Sequence, residues 1–235
     1  MNRILKVGVI RFAGLSARRM TMTNNVANSP YSRAIIERTV SFNSLQAHRV
    51  MNRSFDKLKQ SLFSLSVILP IISNNEEEME AIDTFVSEQF STVEKDLSLA
   101  KGQLSKILED NGIEELAQYS KPEEFRVEVD TPKVNTFLRL VSELDQLMLY
   151  IDTVWLCGEF DDKQKKNATY QWQQRFIKLA GRLIAIEKRA RVAASKLGKA
   201  EEVDEKAPVD NGAIDAEVAA ASEIEIHDMP LSATA

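Results

Sequence analysis

The chain has 235 residues, 44% of them hydrophobic, with eight glycines, six prolines, two histidines and a single cysteine. One cysteine excludes an internal disulfide, two histidines leave no His-rich metal site, and no apolar run approaches the length of a membrane span. The net charge of −5 argues, as an average, against nucleic acid, but the charge is distributed in blocks. Residues 1–62 carry eleven Lys/Arg against two Asp/Glu, 75–124 four against fourteen, 163–199 eleven against one, and 200–235 one against ten.

Residues 1–30 are basic and partly apolar. Lys6 breaks their apolar stretch, which is too short for a secretory signal, so a flexible leader and a cytoplasmic protein are expected. Residues 36–44 alternate, with Val40 and Phe42 on one side and Thr39, Ser41 and Asn43 on the other, the pattern of a half-buried strand. Asn43 or Ser44 can cap a helix beginning at Leu45 that places Ala47, Val50 and Met51 inward and ends or kinks at Pro70. From 76 to 110 apolar residues recur at three- and four-residue steps among many carboxylates, predicting one long amphipathic helix, bent if anywhere at Gly102. Its acids are read as a solvated face, since no histidine, metal motif or glycine loop accompanies them.

Phe125-Arg126-Val127-Glu128-Val129-Asp130 is a second alternating strand, and Thr131-Pro132 is a helix start, with a hydroxyl at the cap and proline where no N–H is needed. The following helix, to Trp155, is apolar on most sides. A short loop at 158–162 leads to a basic helix, and the pair is expected to pack as an antiparallel hairpin with both tryptophans in the core and Cys157 a buried thiol. Residues 200–235, acidic and without aromatics, are expected to be a disordered tail.

No phosphate-cradling glycine loop, GxSxG, HExxH or CxxC occurs, and neither histidine has a partner for general-base work, so an enzyme is not expected, nor is any cofactor. Binding remains. Arg175, Lys178, Arg182 and Arg189 fall on one face of the last helix, spaced to follow phosphates. The bland alternative is that this face pairs with the acidic helix 76–110. The two alternating stretches favour nucleic acid. Paired antiparallel, they make a two-stranded ribbon of the size that enters the major groove. Its outward face offers Thr39, Ser41, Asn43, Arg126 and Glu128 as candidates for base contact. Candidates for phosphate contact are Arg33, Arg38, Arg49, Arg53, Lys133, Lys165, Lys166, Arg182, Lys188 and Arg189. Whether one chain or two complete the ribbon is open.

The strand before Thr131-Pro132, the Leu144-Asp145 step and the run Tyr170-Gln171-Trp172-Gln173-Gln174-Arg175 resemble the AcaB-like transcriptional regulators of conjugative plasmids and integrating conjugative elements, over roughly residues 36–195. The resemblance implies a fold related to ribbon-helix-helix proteins and a DNA-binding activator of transfer genes. One departure stands out. The helix after the second strand spans about 25 residues, some ~37 Å, which carries Lys163, Lys165 and Lys166 far from that strand. The expectation is therefore a mainly α bundle over 31–199 with a small antiparallel β-ribbon. It would bind promoter DNA, act as a homodimer, and touch the transcription machinery. The alternative is a helical adaptor of the transfer apparatus that binds another protein through its acidic helix.

Overall fold

The computed structural model describes residues 34–73, 76–209 and 214–223. Two strands, β1 (Ile36–Phe42) and β2 (Glu123–Val129), accompany the helices α1 (Leu45–Ile72), α2 (Glu76–Asp110), α3 (Pro132–Leu156), α4 (Asp162–Lys196), α5 (Ala200–Lys206) and α6 (Ala216–Ser222). The expected leader lies outside the described residues.

Local chemistry accounts for most boundaries. The Ser44 hydroxyl accepts from the Ala47 N–H at 3.3 Å and starts α1. Pro70 neither ends nor replaces the last turn, which continues to Ile72. At α4 Asp161 and Gln164 form a reciprocal capping box. Gly112 and Gly158, both at positive φ, terminate α2 and α3 where a side chain would be strained. Thr131 occupies the cap position of α3, but its buried hydroxyl has no hydrogen-bond partner, so Pro132 rather than the hydroxyl is what favours that start.

β1 and β2 pair antiparallel within one chain, Thr39 opposite Arg126, with Ile36 opposite Val129 and Phe42 opposite Glu123 at the ends. The ribbon buries Phe42, Phe125, Val127 and Val129, with Val40 partly covered, against the helices. Phe42 and Phe125 lie 5.8 Å apart between ring centroids. Each fully buried large side chain contributes roughly 1.5–3 kcal/mol.

The chain thus repeats a strand–helix–helix unit: β1–α1–α2, then β2–α3–α4. α1 pairs most extensively with α4 and α3 with α2, while α1 and α3 cross at the centre. α1 and α4 run the same way, since Ser64 meets Arg191 and Ile71 meets Lys199. α2 and α3 do likewise, through Lys133–Asp83, Arg139–Glu94 and Lys101–Glu143. α1 and α3 run oppositely, with Ser44 at Asp145 and Phe55 against Phe137. An approximate two-fold axis therefore passes through the ribbon between Thr39 and Arg126. The same offset that relates those two positions relates the cap residues Ser44 and Thr131.

Four expectations need correction. α4 follows α3 through a tight turn but packs chiefly along α1, because its apolar stripe faces the helix of the other unit. Trp172 packs half-buried against the core as expected, but Trp155 does not, lying beneath the Lys165 ammonium at 3.5 Å. Cys157 is exposed at the end of α3. Finally, residues 200–209 and 214–223 are not a disordered tail. Val203 and Val218 are fully buried, Val218 with Ile177 and Ile184 of α4, which supplies apolar area that composition alone does not reveal.

Candidate nucleic-acid interface

Because side chains alternate across a strand, burying one ribbon face fixes what the other presents. The outward positions are Glu37, Thr39 and Ser41 on β1, facing Glu128, Arg126 and Glu124 on β2. Thr39, Ser41 and Arg126 are exposed and have no hydrogen-bond or ion-pair partner among the described residues. Glu128 is drawn to Lys59 of α1 at 3.0 Å, its side chain only 11% exposed. Asn43 lies past the strand end, and its amide donates to Asp145 at 3.0 Å. Of the five candidates for base contact, three remain available on one surface, while Glu128 and Asn43 serve internal contacts.

Two side chains that sequence reasoning did not assign to the ribbon hold it in place. Asp145, 8% exposed on α3, accepts from the Ser44 N–H at 2.7 Å and from the Asn43 N–H at 3.0 and 3.1 Å. It thereby fastens the β1–α1 junction. His48 on α1 places Nε2 2.7 Å from the Phe42 carbonyl and Nδ1 3.1 Å from Glu123, touching both strands at one end. The available signal was a carboxylate inside an otherwise apolar helical stripe.

The candidates for phosphate contact do not gather on one face. Arg33 lies outside the described residues. Arg38, at the ribbon margin, donates to Asn135 of α3. Arg49 is exposed and unpartnered among the described residues. Lys133 pairs with Asp83 and Lys165 with Asp152. Arg53 grips Asp215 at 2.8 Å and Glu217 at 2.9 Å, and Lys188 donates to Ser222. Arg189 is half-buried and has a partner of its own. The Lys166 and Arg182 side chains are exposed without a partner among the described residues.

Helix geometry explains the division. At about 100° per residue, Lys59 projects within about 20° of His48, toward the ribbon, and Arg53 about 140° away, toward α6. Lys188 of α4, which meets α6 at Ser222, therefore lies on the far side of α1 from the ribbon. Nor does α2 neutralise α4 as a whole. Arg175 pairs with Asp96, but α3 takes Asp83 and Glu94, and Lys178 and Arg182 are left unpartnered among the described residues.

The acidic end of the chain is what engages that far side. Asp215 is held below the usual carboxylate range chiefly by its hydrogen bond from Arg53, and Glu217 by those from Gln174 and Arg53. A lowered folded pKa means stability that is present above the unfolded values of about 4 and is lost as pH falls through the folded values. The protection factors of amides in residues 216–222, taken against intrinsic exchange at each pH, are therefore expected to fall on acidification below about pH 4, before those of the ribbon. Simultaneous loss of both would show that these pairs do not hold α6.

No helix among the described residues is long and apolar enough to cross a membrane, and no group of His, Cys, Asp and Glu there is arranged to hold a metal. No family model matches the chain, and no curated protein does. Among solved structures it is similar to the crystal structure of selenomethionine-containing AcaB from uropathogenic E. coli. The two are 46% identical with a TM-score of 0.77, over 82% of this chain and 98% of that one.

Proposed function

The chain belongs to the AcaB family, and from that premise we propose that it is a sequence-specific DNA-binding regulator, an activator of conjugative-transfer genes, related in fold to ribbon-helix-helix proteins. The observation that carries this reading is the centre of the ribbon. There an exposed arginine with no partner among the described residues stands directly opposite an exposed threonine, on a strand pair fastened to the bundle from beneath. A two-stranded ribbon fits the major groove. Arginine reads guanine edges in a bidentate manner and threonine or serine reads several bases. Phosphates are held by Arg49, Arg38 and the basic stretch that leads into β1. Residues 1–33 carry six Lys/Arg and no Asp or Glu. Promoter DNA and the transcription machinery are the proposed partners, and the expected homodimer is not needed to build the ribbon. Pairing of β1 with β2 inside one chain supplies an approximate two-fold without a second copy.

A gel shift on transfer-region promoter duplexes, with competitor DNA at two salt concentrations, tests the reading. Affinity falls steeply with salt, and Arg126→Ala weakens specific binding by about 1–3 kcal/mol while nonspecific binding barely changes. Undiminished specific binding by Arg126→Ala, or by Thr39→Ala, would remove the ribbon from the reading.

One observation favours the adaptor reading. Glu37 and Glu124 flank the ribbon centre, and Glu76, Glu77, Glu80 and Glu88 are exposed on α2. An absent or salt-insensitive shift, together with protein partners captured through α2, would support it.

A further inference from the structure

The two-fold axis of the fold has a consequence for what the ribbon can read. In a ribbon built from two identical chains, the residues meeting at the axis are the same residue twice, and the recognised sequence is palindromic. Here both strands come from one chain, and the residues at the axis differ: Thr39 on β1 and Arg126 on β2. The surrounding scaffold keeps the symmetry. Both strands lead into a helix through a hydroxyl residue at the cap position, Ser44 or Thr131, and each inner helix is packed by the outer helix of the other unit. The flanking acids also keep it, since Glu37 and Glu124 occupy equivalent places.

The next equivalent pair breaks the symmetry further. Ser41 is exposed and unpartnered among the described residues, whereas Glu128, its counterpart, is held down by Lys59. Lys59 itself matches Gln146 of α3, so the second unit lacks the cation that withdraws a carboxylate. The outward surface thus has a symmetrical frame with asymmetrical readers. One side of the axis bears a guanidinium and the other bears hydroxyls.

Resting on the DNA-binding reading above, we infer that a single chain is a complete reading unit that recognises a non-palindromic duplex site, one chain per site, with Arg126 and Thr39 contacting different base pairs on either side of the axis. Guanine recognition by Arg126 fixes the orientation of the bound chain. Turning the chain about its axis would exchange the arginine for threonine, which cannot form the same bidentate pair.

The test is selection of bound duplexes from a random library by the full chain, followed by native mass spectrometry of the complex on the shortest selected site. The inference expects a motif without a two-fold at its centre and one chain per duplex. It also expects about a tenfold loss of affinity when either half of the motif is replaced by the mirror of the other. Thr39→Arg, at an exposed position, makes the two residues at the axis alike and should shift the selected motif toward a palindrome at its centre. A palindromic motif from the native chain, or two chains on the shortest site, would overturn the inference while leaving DNA binding intact. Failure to enrich any sequence would overturn the DNA-binding reading itself, and the inference with it.

Discussion

Replacing Asp145 with alanine is expected to lower the free energy of unfolding by about 3 kcal/mol, and Asp145→Asn by about 1 kcal/mol. The difference follows from what each substitution leaves behind. The carboxylate accepts two backbone N–H groups and one side-chain amide at the junction of β1 and α1. Ser44 is fully buried. Without an acceptor, its N–H loses water in the folded state and regains nothing, a cost of about 1–3 kcal/mol before the charge-assisted bonds themselves are counted. Asparagine keeps one oxygen in place. Urea denaturation monitored by circular dichroism measures both. An alanine variant within about 0.5 kcal/mol of the parent, the range of ordinary surface substitutions, would mean that the junction is held by apolar packing of Phe42 and Phe125 alone. In the DNA-binding reading this variant also loosens the strand that carries Thr39 and Ser41, so specific affinity should fall with stability although Asp145 faces away from the reading surface.

Gly181→Leu is expected to detach α6. Glycine within a long helix ordinarily costs about 1 kcal/mol relative to a good helix former, so the substitution would stabilise an isolated α4. In the folded chain, however, a Cβ at this position would lie 2.6 Å from the Ala221 backbone and 2.9 Å from the Ser222 nitrogen, and closer still to the Ala221 side chain. Backbone cannot yield as a flexible side chain does. Detachment uncovers Val218, Ile177 and Ile184 and releases Arg53 from Asp215 and Glu217. The apolar exposure alone amounts to about 3 kcal/mol or more, which outweighs the gain in propensity. A seven-residue helix does not persist without tertiary contacts. Hydrogen exchange should show residues 216–222 losing protection while α1 and α3 keep theirs. Unchanged protection in 216–222 would mean that α6 slides without leaving, and that glycine at 181 is not what admits it. Arg53 and Lys188, freed together, would enlarge the cationic face beside Arg182, so heparin affinity should rise in the same variant.

The elements themselves were largely legible. The three- and four-residue steps from Ile82 to Leu108, the alternation at Val40 and Phe42, and Pro132 after Thr131 each reflect a local constraint that survives in the fold. The antiparallel ribbon was legible too, because two strands with one apolar face each need a common core. Assignments that depend on partners distant in sequence fared less well. Asn43 looked like a base reader and is held by Asp145. Arg53, Lys133 and Lys165 looked available for phosphate and are paired with Asp215, Asp83 and Asp152. A charge block says how many ions a segment carries and nothing about which of them are already neutralised.

The amino-acid sequence by itself determined where the strands and the four long helices lie, which strand face is apolar, and that Thr39, Ser41 and Arg126 share the other. These follow from side-chain period and backbone preference, which act over a few residues. Only the tertiary structure decided that one chain completes its own ribbon, that α4 packs along α1, and that the acidic end folds onto α4 and Arg53 of α1. Those outcomes depend on buried area and ion pairing between segments distant in sequence, such as Arg53 with Asp215 and Asn43 with Asp145. The same long-range pairing sets Arg126 against Thr39 and makes the centre of the ribbon asymmetric.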